Sequence, residues 1–217
     1  MCPLLIERRN MIKNIIFDMG QVLIKFDPLY FINRLGITDP KDTQILMREI
    51  YKSVEWSMMD RGSLTDAQAC EIFKARVPNH LKRYVADLTC DWCKPLVPID
   101  GAEELIRELK TNGYNMYLLS NASLNQKNYW NDIPGSDCFS DTVVSSYINL
   151  VKPQPEIFKY LVNKYELVPD ECLFIDDATL NVEGAVYSGL HGIVFHGDYK
   201  EVREKMVALG INISLSK

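Results

Sequence analysis

The sequence predicts an α/β fold: a doubly wound, mostly parallel sheet with an α-helical segment inserted after its first strand. Three observations carry that prediction. Asn14–Phe17 is a short apolar run without polar alternation, as a strand covered on both faces requires. From 28 to 94 the pattern is helical, and no strand interrupts it. Beyond Asp100 strands and helices alternate, and repeated β–α units imply parallel pairing.

The first strand ends abruptly on Asp18, with Gly20 two residues on and a short extended segment over 22–26. Asp27-Pro28 breaks that segment. Leu29, Phe31, Ile32 and Leu35 then fit a short helix stopped at Gly36. Asp39-Pro40 opens a second helix, with Ile45, Leu46, Glu49 and Ile50 in helical spacing. Trp56 to Asp60, followed by Arg61-Gly62, reads as a turn. Thr65 is an N-cap for a helix through Phe73, and another helix is expected over 79–93.

Ala102–Thr111 is an amphipathic helix with Leu105, Ile106 and Leu109 inward, stopped by Asn112-Gly113. The second strand covers 115–119 and ends at Ser120-Asn121, before a helix over 122–130. A third strand over 142–146 leads to a link carrying Lys152-Pro153, and Pro155 starts a helix to Tyr165. The run 171–175 is a buried strand ending in Asp176-Asp177, followed by a helix over 180–188 closed by Gly189. A last strand over 192–195 and a helix over 199–209 complete the pattern.

Composition narrows the function classes. At 217 residues, with 47% hydrophobic and 24% charged residues, the chain can bury one good core and a small appended subdomain. No apolar run is long enough for a membrane helix, and residues 1–12 lack the apolar centre of a signal peptide. Residues 1–10 read as a loose extension or as the trace of an upstream start. A net charge of −5 argues against nucleic acid or an anionic membrane as partner. The six cysteines are scattered apart from Cys90 and Cys93, a lone pair that is a poor zinc site. A reducing, cytoplasmic compartment is expected.

What terminates each strand is the informative feature. The strands end in Asp18, in Ser120-Asn121 and in Asp176-Asp177, and Lys152 lies in the link after the third. In a parallel sheet the carboxyl ends open on one edge, so these residues can meet there. Carboxylates, a hydroxyl and an ammonium make a cradle for a divalent cation and a phosphoryl group. Each residue also has a plainer reading: Ser120 as a helix N-cap, Lys152 as a solvated loop lysine, Asp176-Asp177 as a cap that favours the following helix dipole.

Four motifs in this order resemble the haloacid dehalogenase-like (HAD) superfamily of hydrolases. They are FDMGQVL with Asp18, LLSN with Ser120, VKPQPEIF with Lys152, and FIDDATLNVEGA with Asp176, Asp177 and Asn181. The likeness runs from Met11 onward, and the helical insertion resembles the subclass I cap. It implies a HAD-like Rossmannoid core over 11–27 and 95–217, and a cap over 28–94. It further implies a nucleophilic Asp18 that forms an aspartyl-phosphate, and a Mg²⁺ held by Asp18, the Gly20 carbonyl and Asp177. Asp176 enters as ligand or support, and Asn181 as a support of the metal site. Ser120 with Asn121 would bind the phosphoryl oxygens, and Lys152 would bridge Asp18 and the phosphate.

One departure matters. Most phosphatases of the superfamily carry a second aspartate two residues after the nucleophile, where this chain has Gly20. That aspartate is the general acid and base, a group contributing roughly 10²–10⁴-fold. Members with a similar Asp-x-Gly pattern include phosphatases of sugar 1-phosphates, whose anomeric oxygen leaves more easily. Gln21, Asp27 or a residue of the cap are the candidate replacements, and the sequence selects none. The first expectation is thus a Mg²⁺-dependent phosphatase of a small phosphorylated metabolite. The others are a metal-independent 2-haloacid dehalogenase and a catalytically weakened binding protein. Trp56, Arg61, Tyr30, Trp92 and Arg34 fall in the inserted segment, and none is assigned to substrate.

Overall fold

The computed structural model describes residues 11–215; the extension expected over 1–10 lies outside the described residues. Five strands, β1 Asn14–Phe17, β2 Asn115–Ser120, β3 Asp141–Val144, β4 Cys172–Asp176 and β5 His191–Val194, form one sheet in the order β3-β2-β1-β4-β5. Every pairing is parallel. The register sets Phe17 beside Leu118 and Ile175. Asp18, Ser120 and Asp176 therefore leave the sheet at one edge.

Alternate side chains of β1 feed two cores, because successive residues of a strand point to opposite faces. Ile15 and Phe17 pack in one cluster with Leu105, Ile106 and Leu109 of α6 (Ala102–Thr111) and with Val202 and Met206 near the C-terminus. Ile16 packs in the other, with Ile157, Phe158, Leu161 and Ala185. This two-faced burial is why the strand sequence shows no polar alternation.

Five α-helices lie between β1 and α6: α1 Pro28–Arg34, α2 Pro40–Leu46, which runs on into a π-helical turn over Met47–Tyr51, α3 Val54–Arg61, α4 Asp66–Arg76 and α5 Val85–Thr89. Asp27 and Asp39 cap the first two, each with proline at the first helical position. Thr65 and Gln68 form a capping box on α4. After α6 come α7 Ser145–Ile148, α8 Pro155–Lys164, α9 Thr179–Tyr187 and α10 Tyr199–Ala208. No helix among the described residues is long and apolar enough to cross a membrane.

Several expectations are corrected. Residues 54–61 form helix α3, with Ser53 Oγ accepting from the Trp56 N–H at 3.2 Å, where the sequence suggests a turn. The apolar period is masked because Glu55 occupies a buried position, one turn before Met59. Its carboxylate accepts two hydrogen bonds from Arg76 of α4, at 2.6 and 2.8 Å, which offset the cost of burial. The extended segment expected over 22–26 is shortened at its start: residues 21–23 form a tight turn, with the Leu23 and Ile24 N–H groups donating to the Met19 carbonyl, and Ile24 then bridges to Pro98.

The helix expected over 79–93 is broken into a 3₁₀ turn at Lys82–Tyr84 and the short α5. Beyond it, Arg34 of α1 donates to the carbonyls of Trp92, Asp91 and Pro95 and satisfies them without a helix. Two 3₁₀ turns, Leu124–Asn128 and Trp130–Asp132, replace the helix expected over 122–130. β3 stops at Val144 and turns directly into α7, where a strand to Ser146 was expected.

The end of α3 is fastened to α7. Gly62 has φ +80°, and a Cβ there would lie 2.1 Å from the Ser146 carbonyl oxygen. Asn149 Nδ2 also donates to the Arg61 carbonyl at 2.9 Å. Gly62→Ala is expected to cost roughly 1–3 kcal/mol from the left-handed backbone alone, with the clash adding to it. An unchanged urea midpoint in that variant would contradict this account of the contact.

Candidate active site

Asp18 follows β1 directly, and its N–H donates to the Ile175 carbonyl at 2.9 Å, which seats it at the mouth of the sheet. Lys152 Nζ lies 2.8 Å from Asp18 Oδ1 and 2.6 Å from Asp176 Oδ2. The Lys152 and Asp176 side chains are almost wholly buried, at 1% and 0% exposure. The lysine is thus no solvated loop residue. Asn121 fixes its backbone: the Asn121 amide donates to the Lys152 carbonyl at 3.0 Å, and the Lys152 N–H donates to Asn121 Oδ1 at 2.9 Å.

Asp176 is equally constrained. Besides the ammonium, its carboxylate accepts from the Ala178 N–H at 2.8 Å and from Asn181 Nδ2 at 3.1 Å. Its oxygens therefore retain less accepting capacity than those of Asp177, which is exposed. Ser120, the buried last residue of β2, lines a cavity of about 170 Å³ with Asp18, Gly20, Asn121 and Asp177.

The electrostatics follow from this crowding. Burial pushes the Asp18 carboxyl up to about 7; Lys152 pulls against that rise, and Asp176 adds to it. Burial also works against the Lys152 ammonium, but Asp18 and Asp176 hold its pKa above the ordinary lysine value. Oxygens of Asp18, Asp176 and Asp177 lie within 4.8 Å of one another. Two of these carboxylates share one ammonium and the third lies beside them, so the site has a deficit of positive charge and an all-oxygen donor set. That chemistry fits a hard divalent cation such as Mg²⁺.

The rest of the cavity wall comes from the inserted helices and the turn after β2. Phe26, Trp56, Met59, Asp60, Thr89, Trp92 and Tyr129 contribute to it. Of the five side chains the sequence leaves unassigned, Trp56 and Trp92 reach the cavity; Arg34 is occupied with carbonyl groups instead. Asp60 is the residue that sequence reasoning misses. Reading 54–61 as a helix, on the signal of Ser53 before it and Gly62 after it, places Trp56, Met59 and Asp60 on one face. Cys93 is buried, Cys90 is half-buried, and both are free thiols.

Comparison with known proteins bears on the family and the fold. The family model of haloacid dehalogenase-like hydrolase matches residues 12–189. Flavin mononucleotide hydrolase 1 of Arabidopsis thaliana is 28% identical over 119 residues, covering 55% of this chain and 48% of that protein. The chain thus aligns with about half the length of that relative. D-ribitol-5-phosphate phosphatase of Bacteroides thetaiotaomicron is 25% identical over 187 residues, covering 79% of this chain and 86% of the relative. Among solved structures, a HAD family enzyme of Bacteroides thetaiotaomicron in complex with magnesium and inorganic phosphate superposes with a TM-score of 0.66 at 22% identity. It covers 88% of this chain and 98% of its own, a likeness of fold.

Removing the ammonium leaves two crowded carboxylates without their cation. Lys152→Met is expected to destabilise the protein by roughly 3–5 kcal/mol in urea titration, the cost of breaking a buried ion pair from one side. A loss below about 1 kcal/mol, the range of exposed pairs, would contradict the buried network described above.

Proposed function

Because the chain belongs to the haloacid dehalogenase-like hydrolase family, we propose that it is a Mg²⁺-dependent phosphatase of a small phosphorylated metabolite. The observation that carries this reading is the convergence of Asp18, Ser120 and Asp177 on one small cavity, with the buried Lys152 ammonium held between Asp18 and Asp176. Phosphatases among the relatives, acting by name on flavin mononucleotide and on ribitol 5-phosphate, support the substrate class.

In this reading residues 28–94 form a cap over the core built from 11–27 and 95–217. Asp18 attacks phosphorus and becomes an aspartyl-phosphate, which water then hydrolyses. Ser120 donates to a phosphoryl oxygen. Lys152 holds the Asp18 carboxylate in place and offsets charge that develops on the phosphoryl group. Asn121 acts at one remove, by locking the backbone of Lys152. Asp18, the Gly20 carbonyl and Asp177 would hold the cation, while Asp176 and Asn181 keep Lys152 and the adjoining loop in register. When bound, Mg²⁺ supplies Lewis-acid stabilisation of the phosphoryl oxygens.

The carboxylate excess favours this chemistry over metal-free dehalogenation, in which three clustered negative charges would have no evident use. The test is hydrolysis of a panel containing sugar 1-phosphates, ribitol 5-phosphate and flavin mononucleotide, with and without Mg²⁺. Activity is expected to require Mg²⁺ and to disappear in Asp18→Asn while the circular dichroism spectrum is retained. Turnover of a 2-haloacid that persists in EDTA would establish the dehalogenase instead. Tight, Mg²⁺-dependent binding without turnover would mark a binding protein.

A further inference from the structure

The strand that carries Asp18 brings no proton-transfer group, since Gly20 stands two residues on. The candidates nearest in sequence are engaged elsewhere. Gln21 is an amide, and its Oε1 accepts from the Phe26 N–H at 2.9 Å. The Asp27 carboxylate caps α1 by accepting from the Tyr30 N–H at 3.1 Å, and it takes no part in the cavity wall. A carboxylate does reach the cavity from the inserted helices, opposite the sheet edge. We infer that Asp60 is the general acid and base of this site, protonating the leaving oxygen and later deprotonating the attacking water. The inference rests on the phosphatase reading above.

Three observations support it. First, Asp60 lines the same cavity as Asp18, Ser120 and Asp177, and its carboxylate has no hydrogen bond or ion pair among the described residues. A half-buried carboxylate without a structural partner is available for chemistry. Second, its backbone is anchored to the core. Ser145 Oγ donates to the Asp60 carbonyl at 2.5 Å and accepts from the Ala122 N–H at 3.0 Å. One hydroxyl thus ties the end of α3 to the loop that follows Ser120. The Arg61 carbonyl and Gly62 are held against α7 beside it. A group fixed to the frame that carries Ser120 keeps its place relative to the phosphoryl site.

Third, its surroundings favour the protonated form. Asp60 sits in the last turn of α3, at the negative end of the helix. Burial, then the carboxylates of Asp18 and Asp66, raise its pKa to about 7, against the opposing pull of Lys152. A carboxyl that keeps its proton near neutrality can donate it. The Tyr129 phenol, which also lines the cavity, is driven well above its ordinary value by burial and stays protonated near neutrality.

The proton balance closes over two steps. As the Asp18 oxygen bonds to phosphorus, the bond to the leaving oxygen breaks and its electron pair takes the Asp60 proton, releasing an alcohol. Asp60, now a carboxylate, removes a proton from water. The water oxygen attacks phosphorus, the bond to Asp18 breaks, and inorganic phosphate leaves with Asp60 protonated again.

Leaving-group dependence tests the assignment. With Mg²⁺ present, Asp60→Asn is expected to lower kcat/KM for ribitol 5-phosphate, or the fastest alkyl phosphate of the panel, by roughly 10²–10⁴-fold. For p-nitrophenyl phosphate, whose phenolate departs without a proton, kcat/KM should change little while kcat falls. A burst of p-nitrophenol stoichiometric with enzyme should then appear, because the aspartyl-phosphate accumulates. Asp60→Glu should restore part of the alkyl phosphatase activity. If the amide unfolds the end of α3, as judged by thermal melting, Asp60→Ser serves for the same comparison.

Equal losses on the two substrates, or no loss on either, would overturn the role of Asp60. So would wild-type hydrolysis confined to p-nitrophenyl and anomeric phosphates, and in each of these cases the phosphatase reading survives. A wild-type protein inactive on every phosphate ester would overturn both.

Discussion

One buried ammonium, that of Lys152, lies between the carboxylates of Asp18 and Asp176. Taking three charges out of water is costly, by several kcal/mol per ion even after relaxation. The arrangement holds only because each partner is positioned by backbone that the sheet already fixes. Asp18 continues β1, Asp176 ends β4 beside it, and Asn121 grips the Lys152 main chain from the end of β2. Asn181 and the Ala178 N–H complete the shell of Asp176. The parallel register therefore sets the electrostatics of the site, since a slip of β1 against β4 would strand a charge.

The edge retains an excess of negative charge. Asp177 is exposed beside the triad, and burial already raises Asp18 toward neutrality. Such an edge favours a cation and an anionic ligand together over either alone.

The inserted helices reach this edge through a narrow contact. Ser145, at the start of α7, bonds both to the loop after β2 and to the end of α3. Gly62 lets the two backbones meet, because any side chain there would strike the Ser146 carbonyl. The Ser123 hydroxyl adds a bond to Asp66 at 2.6 Å on the first turn of α4. Aromatic residues from both parts, with Phe26 against Trp92 and Trp56, pack the wall between these bonds. A helix end held at this many points presents its side chains to the cavity in a defined direction.

The sheet and its polar edge were legible in the sequence because their signals are local. Apolar runs closed by Asp18, Ser120 and Asp176-Asp177 mark buried parallel strands, and proline and glycine mark helix ends at Pro28, Pro40 and Gly189. Where the partner is distant, the signal fails. Helix α3 is hidden because its buried Glu55 is neutralised by Arg76, twenty-one residues away. The segment 90–95 leaves helical geometry because Arg34 satisfies its carbonyls from another helix. Asp60 looks like a turn residue until the folded chain places it at the end of α3, in the wall of the cavity that Asp18 also lines. Local hydrophobic periodicity thus determined the strands and the residues at their tips. Only the folded chain decided which carboxylate faces them across the cavity, because that depends on long-range hydrogen bonds which no periodicity encodes.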